Sequence, residues 1–438
     1  MPLSPPSRRR VRLATTATAV LLALLAPALP ASAAGTPAPP ASPATVAAAQ
    51  PAHHGLDRKA LDRTLQDLHK AGMYGAYSAV RDGDASWQGA SGVADIKTGR
   101  PMRPGLEHRI GSITKTFTAT AVLQEVGAGH IELDAPIGRY LPDLIPGERG
   151  RAITVRMLLN HTSGIADYGY ALWSVPEDLE TGRFHRHDPR KLARLALAAE
   201  PTGKPGEAHH YANANYVIAG LLLRKVTGET PETYITEHVI RKAGLRHTYF
   251  PRSPYLTGPH AKMYEGLNGI FDPPRDFSVY DMSWAGTAGS LVSTMDDLNR
   301  FFRALLTGRL IDTAELREMQ TTVRMGSSSK ARYGLGLASL DLPCGRVWGH
   351  DGLVPGSGTV SFSSPDGSRQ VTLGTNLTRY YGLAPDGNEK TGPIDDAKAT
   401  HWLTALCGVP AKASAQQHLP TPPQSIPAPA LPQALTRD

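Results

Sequence analysis

An α/β (α+β) fold, with an antiparallel sheet flanked by helices, is predicted by three features of this 438-residue chain. Strand-like segments cluster near both ends of its globular part. Helical patterns dominate the middle. Both strand clusters carry hairpin signals, Asp82-Gly83 early and Pro365-Asp366-Gly367 late. One sheet assembled from both chain ends, with a mostly helical domain inserted, satisfies all three. A site is expected in the cleft between the two parts.

The first element is a targeting segment. Arg8 to Arg12 ("RRRVR") gives a positive start, and the run from Leu13 carries no charge. Ala31-Ser32-Ala33 then supplies the small-x-small pattern of a cleavage site, so residues 1–34 are expected to be a signal peptide cut near Ala33 or Ala34. A membrane anchor is the competing reading. Pro27 and Pro30 interrupt the run, and no second apolar stretch long enough to span a bilayer follows. Loss of the segment's four arginines lowers the formal charge from +7 to about +3. That is too weak to imply nucleic acid or a membrane surface as partner.

Residues 35–55 form a Pro/Ala-rich linker, and residues 411–438 a Pro-rich tail expected to be disordered. The globular part is expected at 56–410. Its α/β portion is placed at about 56–125 and 290–410, its helical portion at about 126–289. An apolar fraction of 41% is enough for a sizeable core.

Leu61, Leu65 and Leu68 recur on one face of a first helix, with Gly72 as its stop. The hairpin around Asp82-Gly83 follows. "ANYVIAGLLLRKVTG" and "MDDLNRFFRALLTG" read as helices. "RVWGHDG" and "SGTVSFSSPDGSRQVTLGTN" read as strands, and "AKATHWLTAL" as the last helix. Cys344 and Cys407 form either one disulfide or two buried thiols, and export favours the disulfide.

Three stretches carry candidate chemistry. In "GSITKTFTATAVLQEV", Ser112 and Lys115 project from one face at a helix start, where exposed N–H groups favour negative charge on the serine oxygen. A lysine kept neutral by burial would serve as its base. The plain alternative is a polar turn leading into a buried helix. The same spacing recurs at Ser327 to Lys330, in a polar loop without a following helix. In the second stretch, Tyr211-Ala212-Asn213 precedes an apolar helix. A phenol beside a lysine is expected to lose its proton more readily, and the asparagine amide suits a substrate carbonyl. In the third, His350 and Gly352 are expected to end one strand and turn into the next, the glycine admitting a substrate backbone.

Ser112-Ile-Thr-Lys115, Tyr211-Ala-Asn213 and His350-Asp351-Gly352, in this order, resemble the motifs of the serine β-lactamase and penicillin-binding superfamily. The resemblance is to its class C branch of S12-type serine peptidases, and within it to secreted D-alanyl-D-alanine carboxypeptidases. "TVRMLLNHTSGI", "SWAGTAGSLVSTMDDLNRFF" and "YGLGL" support it, and it extends from Leu56 to Gly408.

The resemblance implies a β-lactamase/transpeptidase-like fold and an acyl-serine hydrolase, most simply a D-Ala-D-Ala carboxypeptidase acting on peptidoglycan stem peptides. Ser112 would be acylated, with Lys115 and Tyr211 moving the proton. Asn213 would orient the acyl-side amide, and His350 would support Tyr211. The N–H groups of Ser112 and Leu353 would form the oxyanion hole, and Trp284 would wall the cleft. The resemblance also includes a cysteine ahead of the third motif and one in the final helix. No metal or organic cofactor is needed. The partner would be a small peptide, ester or β-lactam, the protein would be a monomer, and no membrane anchor is implied. The alternatives are an esterase, a D-aminopeptidase or a β-lactamase, and a non-catalytic binder of wall peptides.

Three positions depart from the carboxylate-binding pattern of such carboxypeptidases: Asp351, Leu353 and Ala338 replace residues that usually bear hydroxyls or an arginine. Two carboxylates about 4 Å apart repel by roughly 4 kcal/mol at an effective dielectric near 20. Either carboxylate recognition is weakened or rebuilt, with Arg332 or Arg346 as candidates, or Asp351 turns away and bonds to backbone.

Overall fold

The computed structural model describes residues 55–326, 331–385 and 389–408. The predicted leader, the linker up to residue 54, the tail and the second Ser-x-x-Lys copy lie outside these residues.

Helix α1 (Arg58–Lys70) is capped by Asp57, whose carboxylate accepts from the N–H of Ala60 at 2.9 Å. Its buried Leu61, Leu65 and Leu68 face the sheet, as their spacing predicts. The first strands are β1 (Gly75–Asp82), β2 (Ala85–Asp95) and β3 (Arg100–Pro101). They are followed by α2 (Thr114–Gly127), α3 (Asn213–Thr227) and α4 (Met295–Leu306). Strands β4 (Val323–Arg324), β5 (Arg332–Tyr333), β6 (Ala338–Leu342), β7 (Gly345–Val354), β8 (Ser357–Ser363) and β9 (Arg369–Thr375) complete the sheet. Helix α5 (Pro393–Cys407) closes the described chain.

The nine strands run in the order β3-β2-β1-β9-β8-β7-β6-β5-β4, every neighbour antiparallel. The two chain ends meet where β1 pairs with β9, from Ala76 opposite Thr375 to Asp82 opposite Arg369. The sheet is therefore built from both ends, as expected.

The alternation of side chains assigns the two faces. One face carries Val80, Phe362 and Leu373, packed on α1 and on Trp402 of α5. On the other, Asn299 of α4 donates to the carbonyl of Ala79 and accepts from the hydroxyl of Thr372. A second, larger core joins α2, α3 and α4, with Phe117 stacked on Phe301 at 3.6 Å. Cys344 and Cys407 form a disulfide that ties the β6–β7 turn to the end of α5. No helix among the described residues is long and apolar enough to cross a membrane.

One local expectation fails. His350 and Gly352 do not end a strand; both lie inside β7, which pairs with β8 as far as Val354 opposite Ser357. The turn falls at Pro355-Gly356 instead, where Gly356 takes a φ of +73°.

Candidate active site

Gly111, at φ +53°, opens a 3-10 turn over Gly111–Ile113 that runs directly into α2. This short turn puts Ser112 and Lys115 on the same side of the helix start. Lys115 is fully buried, and its Nζ lies 3.0 Å from Ser112 Oγ. It also donates to Asn213 Oδ1 and to the carbonyl of Ala288, each at 2.8 Å. Carbonyl oxygens only accept, so two N–H bonds are committed to them. In the neutral amine the remaining position is a lone pair directed at the serine hydroxyl. Burial lowers the Lys115 pKa to about 7, with the carboxylates of Asp167 and Asp351 opposing it. A neutral base thus exists near neutral pH.

Tyr211 hydrogen-bonds to Ser112, and its ring centroid lies 4.8 Å from Lys115 Nζ. The expectation of an acidified phenol is overturned. Burial raises its pKa well above the usual value, and the bond to Ser112 offsets only part of that. Lys115 is therefore the group able to take a proton, while Tyr211 holds one ready to give.

Strand β7 supplies the third side. Its residues up to Gly349 pair with β6, whereas His350 to Val354 pair only with β8. The released edge lies against the 3-10 turn. A Cβ on Gly352 would stand 2.0 Å from the carbonyl oxygen of Ile110 and 2.9 Å from the amide nitrogen of Ser112. A Cβ on Gly111 would stand 2.8 Å from the amide nitrogen of Leu353. Both glycines let the two backbones approach, so the Ser112 and Leu353 amides share one patch, as an oxyanion hole requires. Gly352 thus admits the protein's own backbone, not a substrate's as expected from sequence.

Several assignments are corrected. His350 bonds to Tyr333, not Tyr211. Its Nδ1 faces the carbonyl of Asp351 at 2.5 Å, so Nδ1 carries the proton and Nε2 accepts from the Tyr333 hydroxyl at 2.8 Å. Burial depresses its pKa to about 3, which keeps it neutral. Trp284 does not wall the cleft. It is 1% exposed and packs edge-on against Trp173 in the helical core. Asn213 engages Lys115 and Asp167. Arg332 is bound to Thr322, and Arg346 is paired with Asp341 through two bonds. Neither arginine rebuilds a carboxylate site. Asp351 bonds to its own backbone N–H, as the second alternative supposed.

Sequence reasoning missed three contributors. His161 lies against Tyr211, the rings tilted by 33° with centroids 4.2 Å apart, and its Nδ1 accepts from the N–H of Ala212 and faces the Asn215 amide. Asp167 accepts the backbone N–H of Asn213 and that of Gly169, fixing the start of α3. Tyr333 holds His350. The stretches "NHTSG" and "YGLGL" contain the first and last. Gly336, at φ +70°, explains the latter: a Cβ there would meet the Lys115 carbonyl oxygen at 3.0 Å.

A buried Ser112–Lys115 pair and a partly buried Tyr211 beside a paired-amide patch, on an antiparallel sheet with a helical insertion, define a serine hydrolase of the acyl-transfer class. Residues 61–391 match the family described as Beta-lactamase, and the chain belongs to that family. It is similar to a D-stereospecific amidohydrolase from Streptomyces sp., with 34% identity and a TM-score of 0.71, covering 81% of this chain and 100% of the other. A D-amino acid amidase from Ochrobactrum anthropi SV3 shares 26% identity and a TM-score of 0.65, covering 73% and 91%. D-aminopeptidase from Cereibacter sphaeroides is 28% identical over 321 residues, and the chain spans 60% of its length. A putative penicillin-binding protein from Bacillus subtilis is 27% identical, covering 74% of this chain and 75% of its own.

Proposed function

We propose that this protein hydrolyses amides of D-configured amino acids through an acyl-Ser112 intermediate. Neutral Lys115 takes the Ser112 proton as Oγ attacks the carbonyl. The Ser112 and Leu353 amides hold the oxyanion, and Tyr211 protonates the departing amine. Water then repeats the sequence with the acyl-enzyme.

The observation carrying this reading is the replacement of carboxylate-binding groups by Ala338 and Asp351. Burial lifts the Asp351 pKa to about 7, and neither this side chain, bonded to its own backbone N–H, nor the methyl of Ala338 offers a cation to a terminal carboxylate. The amidohydrolase, amidase and aminopeptidase relatives support the same substrate class. A D-Ala-D-Ala carboxypeptidase remains the second reading, favoured by Lys398, which with Lys115 draws the Asp351 pKa down.

Comparing kcat/KM for D-amino acid amides with that for an acyl-D-Ala-D-Ala peptide decides between them. Preference for the amides is expected, with loss of both activities in Ser112→Ala. Preference for the free-acid peptide overturns it. The leader expected at residues 1–34 and the Cys344–Cys407 disulfide support export as part of this reading.

A further inference from the structure

Tyr211 stands outside any helix or strand, one residue before the extended Ala212 that leads into α3. Its place beside Ser112 is therefore not set by an element of its own. The residue that sets it is His161, two positions past the short helix Val155–Leu159. His161 is fully buried and takes a φ of +60°. Its carbonyl accepts the N–H of His210 at 2.8 Å, and its Nδ1 accepts that of Ala212 at 3.3 Å. Both flanks of Tyr211 thus hang from one residue. Between them the imidazole lies against the phenol ring, with centroids 4.2 Å apart.

A chain of hydrogen bonds decides which imidazole nitrogen carries the proton. The N–H of Ile165 donates to Ser163 Oγ at 3.1 Å, and the serine hydroxyl donates to Asn215 Oδ1 at 2.6 Å. That turns the Asn215 amide nitrogen to His161 Nδ1, 3.1 Å away. Nδ1 therefore accepts from Asn215 and Ala212 alike, and the proton sits on Nε2. Burial holds the ring neutral, its pKa well below the usual value, and His209, Lys115 and His350 act in the same direction. A charged ring would carry a proton on Nδ1 and lose both bonds.

We propose that His161 is a positioning residue for proton transfer: by holding both neighbours of Tyr211 and backing its ring, it keeps the phenol aimed at the leaving atom of the substrate. This rests on the acyl-serine reading above, in which Tyr211 gives the proton. The worth of a well-placed donor depends on how much the leaving group needs a proton. When an ethyl ester reacts, its C–O bond breaks as the Ser112 Oγ–C bond forms, and the departing alkoxide takes the Tyr211 proton. A p-nitrophenoxide is stable enough to leave without one. A displaced phenol therefore penalises the first ester more than the second, whereas a loosened fold slows both alike.

The test compares kcat/KM for p-nitrophenyl butyrate and ethyl butyrate, which share an acyl group. In His161→Ala the p-nitrophenyl to ethyl ratio is expected to rise about thirtyfold or more. Tyr211→Phe should raise it as far. Adding His161→Ala to Tyr211→Phe should then alter the ratio by less than about threefold, because the two residues act as one unit. His161→Asn suits a positive φ, keeps an acceptor where Nδ1 stood and removes only the ring. It is expected to raise the ratio by about three- to tenfold, and it carries the test should His161→Ala not fold. An unchanged ratio in the folded variant, or a full further rise in the double variant, overturns the assignment. No turnover of either ester by the unmutated chain overturns it together with the acyl-serine reading. Failure to hydrolyse D-amino acid amides while both esters react would defeat the proposed function alone, and the ratio would still decide this one.

Discussion

The two faces of one strand divide the work of this protein. On the even side of β7, His350 is bonded at both ring nitrogens and Gly352 is pressed against Ile110 and Ser112. On the odd side, Asp351 is about one-fifth exposed and borders an unfilled apolar space with Leu353. One face has no slack and fixes the reacting atoms. The other borders a cavity of about 370 Å³. The reacting groups and the cavity are thereby separated by the thickness of a single strand.

The sharpest way to break this division is at Lys115. Lys115→Met keeps the length and removes the base, so acylation by a chromogenic ester should fall by about 10² to 10⁴ for every ester tested, as burst kinetics would show. A loss confined to some esters would mean that the base also reads the substrate. Next is Gly352→Ala. Its added methyl collides with the Ile110 carbonyl and shifts the amide patch, so kcat should fall by about 10². An unchanged kcat would show that the even face has room after all.

The pH profile tests the same face without mutation. Lys115 acts as its neutral form, and burial puts its pKa at about 7. Acylation should therefore rise with pH up to about 7 and then level off, falling about tenfold for each unit below it. A profile flat from pH 5 to 9 would remove Lys115 from the base role. The smallest effect is expected at Tyr333→Phe. It takes one hydrogen bond from His350, which should lower kcat/KM by roughly two- to tenfold and leave the pH limb in place. A shift of that limb would make Tyr333 part of the proton path.

What could be read beforehand follows the same division. The hairpins at Asp82-Gly83 and Pro365-Asp366-Gly367 were legible because turn chemistry is local. Ser112 with Lys115 was legible because one helix turn sets their distance, and Tyr211 because it opens an apolar helix. His161, Asp167 and Tyr333 were not, since each works on a partner brought from another segment: Asp167 acts 46 positions from Asn213. The phenol's acidity was misjudged for a related reason. Its neighbour was visible in the sequence, but the depth of its burial was not.

The pairing of β1 with β9 has a consequence of another kind. Ser78 donates a hydrogen bond to the carbonyl of Thr372, 294 positions later. The central seam of the sheet cannot form until nearly the whole polypeptide has been synthesised, and contacts so distant along the chain close slowly.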